Sequence, residues 1–264
     1  MPPKTMFSRL ALAALAGAAL PALSGLAFAA GTPVPNTAKA GQDGIAGVWE
    51  SPWPPDQLRG PNDPKPPVEV TQPPLKPQYL AEWRAQQKAD ADAIARGAPP
   101  VTENVRCIPG GFPSMMGPTF PVEVLETPGQ VTIINEAYGQ TRRIYMNEKQ
   151  IAVDDAEPVF FGHSVGHWEG RTLVVNTIGM KDTVRMRNAP HSPNVRVDER
   201  IYPTSADTFE DQVTVTDPEY LTGPWSWTWH YKRKTGYKMG EFICENNREF
   251  ADPTTGGQKL KLGD

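Results

Sequence analysis

From Pro121 onward, apolar and polar residues alternate with a period of two, the repeat of strands that bury one face. The alternation predicts strands at about 121–127, 130–136, 141–146, 158–168, 171–178, 195–202, 208–216, 225–233 and 238–245. Pro128-Gly129, Tyr138-Gly139 and Glu169-Gly170 supply short turns between neighbours. Upstream, Ile45-Ala46-Gly47-Val48-Trp49-Glu50 is a strand-like piece whose Gly-x-Trp opening suits the plugged end of a small barrel. Pro52 to Pro77 is expected to run extended over the surface. One helix follows: Pro77-Gln78 opens it, Tyr79, Leu80 and Trp83 share a face, and Gly97 with Pro99-Pro100 stops it. About nine strands joined mostly by hairpins, with a single helix, predict a mainly β chain. The expected fold is a single antiparallel β-barrel, lipocalin-like or calycin-like, because closure removes two exposed edges. The expected division is a signal peptide over 1–29, a Pro-rich arm with the helix over 30–100, and the barrel over 101–264.

Strand parity then selects candidate site residues. Trp225, Trp227, Trp229 and Tyr231 fall on one face, and three indoles are too apolar to leave in water, so that face is expected inside or lining an aromatic pocket. His230 then faces out. In 158–168, Val159, Phe161, His163, Val165 and His167 are in phase; if the Val/Phe set is interior, both histidines project into the barrel. Val195, Val197, Glu199 and Ile201 are in phase too, placing an acid among apolar neighbours, where it is pushed toward its neutral form unless a His or Arg pairs with it. Arg196 or Arg200 could supply that partner. His191, in Asn188-Ala189-Pro190-His191-Ser192-Pro193, could hang over a barrel mouth, and Asp155 sits at another connection. Each also has a plain reading: buried polar residues with partners are ordinary in a core, and loop acids are usually solvated.

Several signatures are missing. His163 and His167, four apart on a strand, stand about 13 Å apart, too far to share one metal ion, so no metal is expected. There is no nucleophile elbow, phosphate loop or dinucleotide fingerprint, and no cofactor is expected.

Composition adds the compartment. Proline is abundant, at 29 residues in 264, and 12 of these lie between Pro33 and Pro77, which argues against a mostly helical chain. Lys4 and Arg9 precede an Ala/Leu-rich run that ends in Ala27-Phe28-Ala29, the order of a secretory signal peptide. Pro21, Ser24 and Gly25 interrupt that run, so no stable membrane span is expected once the leader is cleaved, and the mature protein is expected to be periplasmic or secreted. A formal net charge of −4 with no long basic run speaks against a nucleic-acid partner. An even pair of cysteines, Cys107 and Cys244, favours a disulfide in an oxidising compartment. Two buried thiols or a catalytic cysteine are the alternatives.

The stretch Phe161-Gly162-His163-Ser164-Val165-Gly166-His167-Trp168-Glu169-Gly170-Arg171-Thr172-Leu173-Val174-Val175 resembles a family of exported bacterial proteins of soil proteobacteria and acidobacteria. So do Phe242-Ile243-Cys244-Glu245-Asn246-Asn247-Arg248, Arg106-Cys107-Ile108-Pro109 and Pro224-Trp225. The resemblance spans most of the chain after the leader. It implies that His163, His191, Glu199, Arg200, Cys107 and Cys244 match recurrent positions, whereas Arg is commoner at the place of His167. It carries no reaction.

The expected function is cofactor-independent acid–base chemistry (lyase, isomerase, hydratase or hydrolase) on a small apolar or aromatic molecule in a barrel pocket. His163 would be the base, Glu199 or Asp155 the acid or orienter, and His191 would close the mouth. His167, Phe161, Arg200 and the three tryptophans would contact substrate. A periplasmic carrier of a hydrophobic small molecule is the alternative, and an envelope interaction protein a further one. The sequence leaves the oligomeric state open.

Overall fold

Nine strands close on themselves in the computed structural model, which describes residues 44–53, 72–101, 107–117, 119–244 and 249–260. They are β1 (Gly47–Glu50), β2 (Val122–Thr127), β3 (Gln130–Asn135), β4 (Gln140–Met146), β5 (His163–Glu169), β6 (Thr172–Ile178), β7 (Arg196–Pro203), β8 (Thr208–Thr216) and β9 (Trp225–Arg233). Each pairs with the next, and β1 closes the ring by pairing Trp49 with Arg233 and Glu50 with Lys232 on β9. The signal peptide and most of the Pro-rich arm lie outside the described residues.

The fold is a single closed barrel with one helix, as the alternation predicts, and three details differ. The early strand-like piece is a barrel strand, so the barrel is not confined to 101–264. The predicted strand at 238–245 does not form over its described residues 238–244, because β1 already occupies the free edge of β9. Neighbouring strands are antiparallel except β4 and β5, which pair in parallel from Ile144–Ser164 to Met146–Gly166, so the connection over 147–162 must travel back along the barrel. A separate hairpin, β10 (Glu249–Ala251) with β11 (Gln258–Leu260), follows the barrel.

The interior is filled. Trp49 meets Phe209 edge to face and Phe209 stacks on Tyr231, with ring centroids 4.7 and 4.2 Å apart. Between the helix and β2, Phe112, Met115 and Met116 enter the same core, each at most 1% exposed. Gln140 Oε1 accepts from the Gly111 N–H at 3.1 Å, Asn135 Nδ2 donates to the Met115 carbonyl at 2.7 Å, and the Tyr231 hydroxyl donates to the Met116 carbonyl. The helix α1 (Pro77–Ala95) has no buried residue. Only its first turns touch the core, through Tyr79, Leu80 and Trp83, and Tyr79 stacks on Tyr220 at 3.9 Å. Cys107 and Cys244 are joined in a disulfide across a sequence separation of 137, compatible with an oxidising location. No helix among the described residues is long and apolar enough to cross a membrane.

Candidate functional site

Three interior charged groups lie on the apolar faces of three strands. On β4, Arg142 is in phase with Ile144 and Met146; on β7, Glu199 lies between Val197 and Ile201; on β8, Asp211 lies between Phe209 and Val213. All three are fully buried. The Arg142 guanidinium meets both Glu199 oxygens, at 2.8 and 2.5 Å, and also donates to Thr177 Oγ1 at 2.8 Å and Ser164 Oγ at 3.1 Å. The Phe112 ring covers it, 3.8 Å from Cζ. Glu199 therefore faces inward as its phase predicts, but its partner is Arg142, not Arg196 or Arg200. Arg200 points outward to Glu169 at 3.0 Å.

Asp211 is different. Neither carboxylate oxygen has a hydrogen-bond partner. Burial pushes its pKa well above the usual carboxylate range, the Glu199 charge adds to the rise, and Arg142 opposes it. A carboxyl whose folded pKa is raised binds its proton more tightly folded than unfolded. Its contribution to stability is therefore complete below the unfolded value of about 4 and is lost as pH rises toward the folded value. Between those two values stability should fall with a slope approaching about 1.4 kcal/mol per pH unit for this one group. Asp211→Asn should flatten the slope and be more stable than the parent at pH 8. Urea midpoints measured from pH 5 to 9 would show this, and an unchanged slope would assign the proton elsewhere.

The expected parity of β5 is inverted. Ser164 and Gly166 face the interior, and His163 and His167 face out. The reason is steric as well as polar. A Cβ at Gly166 would lie 2.9 Å from Ile144 Cγ2 and 3.1 Å from the Val174 carbonyl oxygen, so only glycine fits there, and Ser164 is needed against Arg142. His167 is exposed and reaches only Glu169, at 3.3 Å. His191 does not hang over a mouth. It is buried, with Nδ1 2.8 Å from the Ser192 carbonyl and Nε2 3.0 Å from the Lys181 carbonyl. Asp155 is exposed on the short turn Val153–Asp155, and no hydrogen bond or ion pair among the described residues joins it to His163 or Glu199. Phe161 is half-buried against the core. The Trp225 and Trp227 side chains face inward and are buried, Trp229 is partly so, and His230 faces out beside Glu210.

No family model, curated protein or solved structure matches the chain. The functional reading therefore rests on side-chain geometry, and the outer wall beside β5 supplies the most ordered example. His163 Nδ1 lies 2.8 Å from Gln150 Oε1. The orientation of that amide is fixed, because the same Oε1 accepts the Ile151 backbone N–H at 3.0 Å and a backbone N–H can only donate. Nδ1 therefore carries a proton, and the neutral ring presents its lone pair at Nε2, which has no partner among the described residues. The chain continues: Gln150 Nε2 donates to Asn176 Oδ1 at 3.1 Å, and Asn176 Nδ2 donates to Asp198 Oδ1 at 2.8 Å. Four side chains from the 147–162 connection, β5, β6 and β7 thus form one line of donors that all point from imidazole to carboxylate. Tyr145 packs beside the His163 ring, with centroids 5.7 Å apart and planes at 27°. Among the described residues no cluster of three or more metal-ligating side chains is present.

Sequence reading missed Arg142 and Asp211, although both were in phase with their neighbours' apolar residues. Gln150, Asn176 and Asp198 had no signal, since amides 26 residues apart announce nothing about each other.

Proposed function

We propose that the protein is an exported, cofactor-independent acid–base enzyme in which His163 Nε2 takes a proton from a small apolar or aromatic substrate, or from water attacking it. The reading rests on the directed chain from His163 through Gln150 and Asn176 to Asp198. As Nε2 accepts a proton the ring becomes cationic, and the donor at Nδ1 strengthens toward an amide that is itself polarised by the Asp198 carboxylate. The imidazole is half-buried and oriented by its neighbours, and its Nε2 has no hydrogen-bond partner among the described residues. Ile151 and Val159, 38% and 40% exposed on the same connection, offer apolar contact for the substrate body. The resemblance to exported bacterial proteins, in which His163 matches a recurrent position, agrees with this placement. Asp198 and the two amides are positioning residues.

The test is turnover of an aromatic, terpenoid and steroid panel by the leaderless protein, scored by mass spectrometry. His163→Ala should lower turnover by about a hundredfold or more. Gln150→Leu should lower kcat with little change in KM and move the pH profile, which a purely structural role would not do. Turnover that survives His163→Ala would sink the assignment. Saturable binding with no turnover across the panel would replace it with the carrier reading.

A further inference from the structure

His163 has a cation at its side. Arg142 and Ile144 of β4 turn inward, so Arg143 between them turns outward, where it is exposed. Strand β4 runs parallel to β5 with Ile144 opposite Ser164, and both of these are buried inside. One step back along that register, Arg143 stands beside His163 on the outer wall, with the two backbones about 4.8 Å apart. Tyr145, the next outward residue of β4, is the ring packed against the imidazole. On its other flank Arg143 faces Thr132 of β3, whose hydroxyl already accepts from Gln130 Nε2 at 2.6 Å. The Arg143 side chain makes no hydrogen bond or ion pair among the described residues. Arg200 on the same wall differs, since Glu169 holds it at 3.0 Å.

Apolar groups lie on the opposite side of the imidazole. Gln150 Nε2 donates to the backbone carbonyls of His163 and Asn176, both at 3.1 Å, so the connection crosses the wall on the β6 side of His163. Ile151 follows directly. The Val159 carbonyl accepts the Gly162 N–H at 3.4 Å, which folds Val159 back beside the start of β5. A positive charge on the β4 side, an imidazole at the centre and apolar surface on the β6 side therefore follow one another across the wall. Each of these side chains is exposed or half-buried, so a ligand meets them from solvent without entering the interior.

We propose that the His163 site takes substrates that carry a carboxylate, with Arg143 as the residue that binds and selects it. The inference rests on the acid–base reading of His163 and names its substrate class. The carboxylate lies in the guanidinium fork as a planar, two-point partner. The hydrocarbon body lies toward Ile151 and Val159, which holds the atom to be deprotonated between the two anchors, at Nε2. A neutral molecule of the same shape keeps the apolar contact and loses the charge anchor. Because the guanidinium is exposed, that anchor contributes a modest factor and is weakened by salt.

The chain has four histidines, so the imidazole C–H signals of the whole leaderless protein can be followed by NMR, those of His163 being assigned by their absence in His163→Ala. The probes are 1-naphthylacetate and 1-naphthylacetamide, which differ in charge but scarcely in shape. The acid should move the His163 signals saturably, with a Kd about fivefold below that of the amide at low salt. Sodium chloride at about 0.5 M should erase most of the difference. Arg143→Gln should bring the acid to the affinity of the amide, Arg143→Lys should recover part of the loss, and calorimetry on His163→Ala should find the acid still preferred. Thermal melts would establish that both Arg143 variants are folded. No saturable shift with the acid, equal Kd values for acid and amide, or a folded Arg143→Gln variant that still prefers the acid would each overturn the proposal. Turnover of the compound panel separates the two readings. Acids that bind through Arg143 and are never turned over would sink the acid–base reading and leave the carboxylate site standing, whereas His163-dependent turnover indifferent to Arg143→Gln would do the reverse.

Discussion

Arg142→Met is expected to destabilise the barrel by about 3–5 kcal/mol, the usual cost of removing one member of a buried ion pair. The guanidinium makes four hydrogen bonds to three side chains on three strands, and no other cation among the described residues pairs with Glu199. Deleting it leaves a carboxylate with no exposure, next to a second acid, and strips both hydroxyls of their shared partner. The paired substitution Arg142→Met with Glu199→Leu should recover most of the loss, since an apolar pair of similar size carries no charge to strand. A double-mutant cycle on urea unfolding would measure the coupling. A single Arg142→Met variant as stable as the parent would mean that water reaches Glu199.

Removing the disulfide, as Cys107→Ser with Cys244→Ser, is expected to cost a comparable amount. Its separation of 137 residues spans most of the barrel. The chain-entropy model gives about 5 kcal/mol for such a loop, and native disulfides generally return about 2–5 kcal/mol. The bond ties the segment ahead of β2 to the segment after β9, so the unfolded chain gains freedom along nearly every strand when it is cut. Thermal unfolding with and without reductant would check this. An unchanged Tm would show that strand pairing alone restricts those ends.

The barrel was legible because seven of its strands alternate cleanly and because the tryptophans of β9 declare their inner face. The inner face of β5 was not legible. Phe161, Val165 and the histidines on one side and Phe160, Ser164 and Trp168 on the other are nearly balanced in hydrophobicity. The choice is made by contacts that are remote in sequence: Ile144 against Gly166, and Arg142 against Ser164. Glu199 showed where a counter-charge was needed without showing that it comes from β4, 57 residues earlier. The missing strand at 238–245 has the same origin. The edge of β9 that a strand over 238–245 would need is held instead by the four residues of β1, remote in sequence.

That closure also sets an order of events. Trp49 and Arg233 lie 184 residues apart in the chain, so the ring cannot shut until its final strand has been made. Between that point and closure, β1 has only β2 to hold it, and β9 presents an uncovered edge beside three tryptophans. Long-range closure of this kind is slow, and an uncovered strand edge invites pairing with other chains. The most vulnerable moment of this molecule is therefore late in its synthesis, when eight strands are in place and the shortest one has yet to lock.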